Sequence, residues 1–427
     1  MRGVRRQTVR SEKTLPVRIA ADVDRCRGSP TPMNFLEGTH DISNALLKHR
    51  RITPYRVPKF YREHIARSAY YDQLKRIVEP SLREFAGPGK LDTSGEADNT
   101  VVPGLQHKYP QTGLLLVTEQ CAAFCRYCFR KRFVGSSDKE VAPDFARVAE
   151  YIRLHPEMNN VLFSGGDPLM LSSRRLDRIL DHLLPIPHLT SIRFGSKTPA
   201  FNPRRLADDS LLDLFERIRC AGKQPVIVAH FDHFAEFSTE SHARIRQYQS
   251  AGVQFLNQTV LLAGVNDDAD TLAATFEECH AIGVRPYYLF QTRPVLGASH
   301  FQVPLRRGVA IVRDINRKLS GIQKTFRYIM SHETGKIEIL DVDDGNRIYL
   351  RYHQCTDSHR IGRVFSRYCP PDACWFDDLL PETRSTTNSS LPRQARTTRI
   401  RLVPSVDTSR FDNATCRETT RAGARRA

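Results

Sequence analysis

Short apolar, β-branched runs recur along the middle of the chain and alternate with stretches of helical period. The runs are GLLLVT (113–118), NVLFSG (160–165), SIRFG (191–195), PVIVAHF (225–231), VQFLNQTVLL (253–262) and RPYYLFQ (285–291). Between them lie APDFARVAEYIRLH (142–155), SSRRLDRILDHLL (172–184), DSLLDLFERIRCAG (209–222), TESHARIRQYQSAG (239–252) and DADTLAATFEECHAIG (268–283). The closing AG and IG pairs are helix stops, because glycine accepts the left-handed backbone that ends a helix. Strand, helix, strand at this spacing predicts parallel βαβ units, and six such strands predict an α/β fold built on a partial (βα)6 TIM-like barrel. The strand ends carry SGGDP, GSKTP, AHFDH, LNQ and QTR. Polar residues and glycines gathered there mark the end of a parallel barrel where chemistry collects.

The barrel is expected over 106–324, preceded by a helical region (33–105) and followed by a strand extension (325–380). In that extension, TFRYIMSHETGKIEILDVDDGNRIYLRYH (325–353) reads as strands with a DG hairpin turn. The formal net charge of +17 suggests a nucleic-acid binder, but its placement argues otherwise. Residues 1–32 carry +5 and residues 381–427 carry +6, in segments rich in Ser, Thr, Pro and Arg. Such composition buries too little apolar surface to fold alone, so both ends are expected to be disordered tails without a specific nucleic-acid partner. Met33 offers an alternative start. No apolar run approaches the roughly 20 residues of a spanning helix, and MRGVRRQTVR lacks the apolar core of a secretory signal. The expected location is the cytoplasm, away from membranes, where thiols stay reduced.

That setting changes the reading of the ten cysteines. Three of them, Cys121, Cys125 and Cys128, fall in CAAFCRYCF directly after the first strand. A disulfide framework, a zinc site and an iron–sulfur cluster are the candidates. Structural zinc takes four protein ligands. A cubane held by three cysteines leaves one iron open, which is useful only if that iron does chemistry.

CAAFCRYCF resembles the cluster motif of the radical S-adenosylmethionine (SAM) superfamily. The resemblance implies that Cys121, Cys125 and Cys128 hold three irons of a [4Fe–4S] cluster, while the amino and carboxylate groups of SAM chelate the fourth. SGGDP (164–168) is similar to the superfamily's glycine-rich turn, where Gly165 and Gly166 let backbone approach SAM and Asp167 accepts from its ammonium. The order of HKYPQTGLLLVTEQCAAFCRYCFRKRF, LFSGGDPLM, IRFGSKTP, HFDH, LNQTVLLAGVND and RPYYLFQ further resembles the lysine 2,3-aminomutase family over roughly residues 45–355. That resemblance implies an isomerase that also uses pyridoxal 5'-phosphate (PLP), moves an α-amino group to the β-carbon of a small amino acid, draws electrons from a flavodoxin- or ferredoxin-type donor, and associates into homo-oligomers.

Carried over residue by residue, the resemblance makes Lys336, in SHETGKIEI, the PLP lysine, although the family's glycine run is reduced to Gly335. It places Tyr109 near the PLP phosphate and His230 and Gln258 near SAM. Taken alone, His230 is equally well a satisfied core histidine. Lys108 and Thr112 stand where the family has arginines beside the phosphate. Arg130 matches the arginine that binds the substrate's α-carboxylate, a task suited to a guanidinium fork. Two aspartates hold the remote ammonium in lysine-specific members, and here those positions are Arg293 and Ser331. An ammonium facing an arginine in a dry site is strongly disfavoured. The substrate side chain is therefore expected to be acidic or neutral, with glutamate fitting Arg293. Arg293 serving the PLP phosphate instead is the competing reading.

Other readings remain open: a lysine aminomutase acting on free lysine or on a lysine of elongation factor P, a PLP-free radical SAM enzyme, or a non-enzymatic zinc module. Cys369 and Cys374 do not reproduce the spacing of the family's zinc site. Cys220 and Cys279 are expected on buried helix faces.

Overall fold

A computed structural model of the protein describes residues 42–45, 54–136 and 139–381. The expected tail 1–32, Met33 and everything beyond residue 381 lie outside the described residues. The six predicted runs become strands β3 (Thr112–Thr118), β4 (Asn160–Gly165), β5 (Ser191–Ser196), β6 (Gln224–Ala229), β7 (Gln254–Leu261) and β8 (Arg285–Gln291), each parallel to the next. A further strand, β9 (Arg327–His332), pairs parallel with β8 and antiparallel with β10 (Gly335–Val342). The segment expected as hairpin therefore also supplies a seventh parallel strand. Helices α3 (Phe145–Arg153), α4 (Ser173–Leu183), α5 (Asp209–Cys220), α6 (Thr239–Ser250), α7 (Ala269–Ala281) and α8 (Leu305–Lys318) make the crossovers. The helix α8 is a connection that the hydrophobic pattern did not single out.

The antiparallel strands β11 (Arg347–Cys355) and β12 (Val364–Tyr368) extend the far edge, and the DG turn at Gly345 lies between β10 and β11. At the near edge, helices α1 (Lys59–Ala66) and α2 (Tyr71–Val78) precede two short strands, β1 (Thr100–Val102) and β2 (Leu105–Tyr109). The region read as helical thus also contributes strands. Among the described residues, one sheet runs from β1 to β12 in sequence order and stays open. Lys108 on β2 reaches across the gap and donates to His332 O on β9 (3.0 Å) and to Ser94 O (3.1 Å). No helix among the described residues is long and apolar enough to cross a membrane.

The local chemistry explains the element ends. Asp144, Ser172, Asp208, Ser238 and Asp268 each cap a barrel helix by accepting from its first-turn N–H groups. The predicted stops hold, as at Gly252 (φ 84°) after α6. Alternation along each strand sends one set of side chains to the helices and the other inward. On β5, Ile192 and Phe194 pack outward and are buried, while Arg193 and Gly195 line the interior. A chain of rings, Phe163–Phe194–Phe215–Tyr248, joins sheet to helices at centroid distances of 5.0, 4.9 and 5.3 Å. Cys279 is buried as expected, but Cys220 is exposed, because it falls at the last position of α5, past the face that meets the sheet.

Phe194 is 1% exposed at the centre of this ring chain. Phe194→Ala should lower the unfolding free energy by roughly 3–5 kcal/mol, read by chemical denaturation of the full chain. A loss below about 1 kcal/mol would mean that the sheet–helix layer is not tightly packed there.

Candidate active site

Directly after β3 the chain leaves regular structure as the three-cysteine loop. Irregular buried backbone must be tied down, and here a carboxylate does it. Glu84, fully buried, takes a two-pronged fork from Arg126: Nε to Oε1 and Nη2 to Oε2, both 2.8 Å. Lys131 Nζ lies 3.6 Å from the same carboxylate and donates to Arg126 O at 2.6 Å. Burial pushes Lys131 down to about 8, against the pull of Glu84. Backbone bonds add to the hold: Arg126 N–H to Ile77 O (2.8 Å) and Phe124 N–H to Arg56 O (3.1 Å).

Cys121, Cys125 and Cys128 are free thiols facing one cavity. Burial pushes all three above the ordinary thiol range, so as bare side chains they hold their protons. Thiolates in this setting need a positive partner such as a metal centre. Their three sulfurs do not gather within 4.8 Å of one another. A zinc ion bound at about 2.3 Å would draw its sulfurs to roughly 3.8 Å apart. Three thiols of one loop facing one cavity fit three protein-held irons of a cluster whose fourth iron stays open.

The β4 exit packs against this loop. Gly165 has φ 109°, and a Cβ on it would stand 2.3 Å from Thr118 O. A Cβ on Gly166 would meet Gln120 O at 2.3 Å. The Gly166 and Asp167 amides donate to those same two carbonyls, each at 2.7 Å. The glycines therefore let β4 clasp the root of the cysteine loop, besides facing the cavity. Asp167 is buried, and its carboxylate accepts from Ser196 Oγ (2.8 Å), Lys197 N–H (2.9 Å), Thr198 N–H (2.9 Å), Thr198 Oγ1 (2.9 Å) and Leu169 N–H (3.0 Å). A carboxylate has about four lone-pair sites, so Asp167 spends its capacity organising the β5 exit.

The β6 exit carries a second buried network. His230 Nε2 lies 3.0 Å from Asp232 Oδ1 and 3.2 Å from the Tyr127 hydroxyl, which itself donates to Asp232. Lys197 Nζ reaches Asp232 Oδ2 and Glu236 Oε2, both at 2.9 Å. Burial opposes ionisation of Asp232, but His230 and Lys197 hold it well below the usual carboxylate range. His230 is thus neither a plain core histidine nor free: about a quarter of its side chain (26%) is open to solvent. Gln258, on β7, also opens into the cavity.

The cavity, about 340 Å³, brings together the candidate site residues of the sequence: the three cysteines, the Gly165–Asp167 turn, Lys108, Tyr109, Thr112, Arg130, His230, Gln258, Arg293, Ser331 and Lys336. Phe129, beside Cys128, carries two guanidiniums: Arg130 lies 4.5 Å and Arg293 4.0 Å from its ring centroid. Arg130 gives Nε (2.9 Å) and Nη2 (2.7 Å) to Glu96 Oε1 and Nη1 to Ser164 Oγ (2.8 Å). Arg132 holds the other oxygen of Glu96 at 2.7 Å. Arg293 donates to Ser94 Oγ, and burial pushes it down to about 10. Lys336, on β10, lies 4.9 Å from the Tyr288 ring centroid and 5.6 Å from that of Tyr109. Burial, then Arg193, Arg293 and Lys108, push it down to about 7.

Three participants escaped the sequence reading. Glu96 sits in a Ser/Gly/Asp-rich loop that looks like a solvated turn. Arg193 was signalled by alternation, as a cation on the inward face of a strand buried on both sides. Gln354 pairs with Lys336 across β10 and β11.

Residues 115–275 match the family model described as the radical SAM superfamily. A protein of Aquifex aeolicus provisionally named L-lysine 2,3-aminomutase is 45% identical over 322 residues, covering 74% of this chain and 85% of its own. The chain belongs to the lysine 2,3-aminomutase family. The L-lysine 2,3-aminomutases of Escherichia coli and Acetoanaerobium sticklandii are each 36% identical, over 64% and 71% of this chain and 79% and 72% of theirs. A solved radical SAM methyltransferase from Sphaerobacter thermophilus covers 53% of this chain and 68% of its own, at 17% identity and a TM-score of 0.35, too distant to inform the site. As a lysine 2,3-aminomutase family member the protein is a radical SAM enzyme, with a [4Fe–4S] cluster and SAM as cofactors and an external electron source. The non-enzymatic zinc module is thereby set aside.

Two predictions follow from the geometry. Gly166→Ala forces a methyl against backbone at the loop root; it should cost roughly 1–3 kcal/mol of stability and reduce iron uptake on anaerobic reconstitution. Retention of full iron content and stability would show that the β4 clasp is dispensable. Lys336 should react with an amine reagent, read residue by residue by mass spectrometry, with a midpoint near about 7. Below that pH it is an unreactive ammonium and above it a free amine. A midpoint above about 9.5, near the ordinary lysine range, would contradict the cationic, dry surroundings described.

Proposed function

We propose that this protein is a PLP-dependent amino acid 2,3-aminomutase whose substrate carries an acidic or neutral side chain, with glutamate-like substrates favoured. One observation supports this above the rest: among the described residues, no spare carboxylate lines the cavity. The acids there are Glu96 and Asp167. Glu96 is bound by two arginines, and Asp167 is saturated by its own loop. A lysine ε-ammonium would find no partner and would instead face Arg293. Two like charges about 4 Å apart repel by roughly 4 kcal/mol at an effective dielectric near 20.

PLP fits the residues present. An amine near neutrality, held between tyrosine rings and facing cations rather than an acid, suits a lysine that captures an aldehyde. The buried Arg193 Nε and Gln354 Oε1 have no hydrogen-bond partner, and both residues line the cavity. When bound, PLP and SAM supply the radical and the electron delocalisation that let an amino nitrogen pass between adjacent carbons.

The chain's own residues bind and orient. Cys121, Cys125 and Cys128 hold the cluster, and the Gly165–Gly166 backbone, His230 and Gln258 border SAM. Arg130 receives the substrate's α-carboxylate in the fork now filled by Glu96. That exchange need not strand Glu96, because Arg132 still holds it. Arg293 faces the distal end of the substrate and Lys336 waits at the α-nitrogen. The largely apolar walls of the cavity limit water beside the reacting radical. Eight free cysteines among the described residues agree with a reducing, cytoplasmic setting.

The test is an amino-acid panel with the cluster-reconstituted enzyme supplied with PLP, SAM and a reductant. Glutamate or another non-cationic amino acid should give its β-amino isomer. Arg293→Ala should raise the KM for an acidic substrate by roughly 10- to 100-fold, the worth of one charge-assisted pair. Efficient turnover of free lysine by the wild type, with acidic amino acids inert, would overturn the substrate reading.

A further inference from the structure

Two arginines face Lys336, and their surroundings differ. Arg293 is engaged: it donates to Ser94 Oγ and stacks on Phe129, the ring it shares with Arg130. Arg193 is not. It projects inward from the middle of β5, its Nε is buried with no hydrogen-bond partner, and among the described residues no carboxylate pairs with it. A buried cation without an anion is costly, and the chain could have placed an apolar residue there, as it does at Val226, the register partner of Arg193 on β6. Across the cavity Gln354 Oε1 is likewise buried without a partner, on the strand position paired with Lys336. A carboxamide can turn either its oxygen or its amino group toward a ligand.

The residues expected to hold the PLP phosphate are occupied or uncharged. Lys108 spends two of its three protons on the Ser94 and His332 carbonyls, fastening β2 to β9. Thr112 brings no charge and accepts from Asn160 Nδ2 at 3.2 Å. Of the three cations that depress Lys336, Arg193 acts most strongly, ahead of Arg293 and Lys108. In PLP the aldehyde and the phosphomethyl group stand on adjacent ring carbons. The phosphate's counter-charge must therefore lie close to the amine that meets the aldehyde.

We infer that Arg193, assisted by the Gln354 carboxamide, is the anchor for a phosphate monoester beside Lys336, the phosphate of PLP, so that Arg293 is left to the substrate. This rests on the PLP reading for the identity of the ligand, but the anion site stands on its own geometry. It separates two tasks that Arg293 alone could not serve at once. Arg193 fixes the cofactor from the barrel wall, while Arg293, at the β8 exit, meets the part of the substrate that varies.

The test uses the full-length, cluster-reconstituted, PLP-free protein. Inorganic phosphate is titrated calorimetrically, and PLP is compared with pyridoxal, which keeps the aldehyde and lacks the phosphate, by reductive trapping on Lys336. Arg193→Met should weaken phosphate binding by roughly 10- to 100-fold and reduce the preference for PLP over pyridoxal by a similar factor. Arg193→Lys should restore part of both, and Gln354→Leu should lose less than Arg193→Met. Arg293→Met should leave phosphate affinity within about twofold of wild type. Because Arg193 has no internal partner, Arg193→Met should keep its melting temperature; if it does not fold, the Lys and Leu variants carry the comparison. Phosphate binding that survives Arg193→Met, or that is lost in Arg293→Met instead, would overturn the inference. If phosphate binds through Arg193 but wild type traps no PLP on Lys336, the subsite holds and the PLP reading fails.

Discussion

The site depends on a carboxylate that no solvent reaches. Glu84 lies beside the end of the N-terminal helices, and its two oxygens are taken by Arg126, in the middle of the cysteine loop. Burying such a pair gains little net stability, since desolvation offsets the attraction. What the pair supplies is direction. A bidentate fork fixes the plane of the guanidinium, and with it the backbone between Cys125 and Cys128, in a segment without helix or strand to set its course. Breaking one half would leave the other charged and buried, which is far worse than never having built it. The N-terminal region is thus part of the cluster site, although it contributes no thiol.

With the loop fixed, the interior sorts its charges by exit. At the β4 to β6 ends the acids are satisfied from within: Asp167 by neutral hydroxyl and amide donors, and Asp232 and Glu236 by Lys197. On the opposite side, around Lys336, the described residues bring cations and no free acid. The first arrangement is a self-satisfied scaffold and needs no ligand. The second is satisfied only when anions enter. Lys336 carries the consequence in its own chemistry, because an amine pressed by cations is ready to be uncharged near neutral pH.

The barrel was legible because a parallel sheet buried on both faces leaves continuous apolar runs, and five of its helices end where glycine or a polar cap says they should. Local pattern failed where an element's role comes from elsewhere. Arg327–His332 looks like half of a hairpin, and it is, but its other edge completes the parallel set. β1 and β2 are too short to register as strands apart from β3. At the site, motif spacing gave the cysteines and the glycine turn. It could not give Glu96, whose burial comes from two arginines more than thirty residues away in sequence. Nor could spacing show that the glycines meet the carbonyls of Thr118 and Gln120, or that Asp167 is saturated, since both facts depend on strands brought side by side.

Glu96 links these threads. Its one oxygen occupies Arg130 in the way a substrate α-carboxylate would, and its other oxygen keeps hold of Arg132. The loop that carries it also presents Ser94, which accepts from Arg293 through its hydroxyl and from Lys108 through its carbonyl. One short irregular segment therefore touches Arg130, Arg293 and the lysine that fastens β2 to β9. In the absence of anions, such a segment lowers the cost of gathering positive charge in a dry space. The loop keeps further ties of its own, from Arg132 to Glu96, from Lys108 to Ser94 O and from the His107 amide to Asn99 O. A barrel with no carboxylate to spare offsets the cost of its gathered cations by lending itself one from outside the sheet.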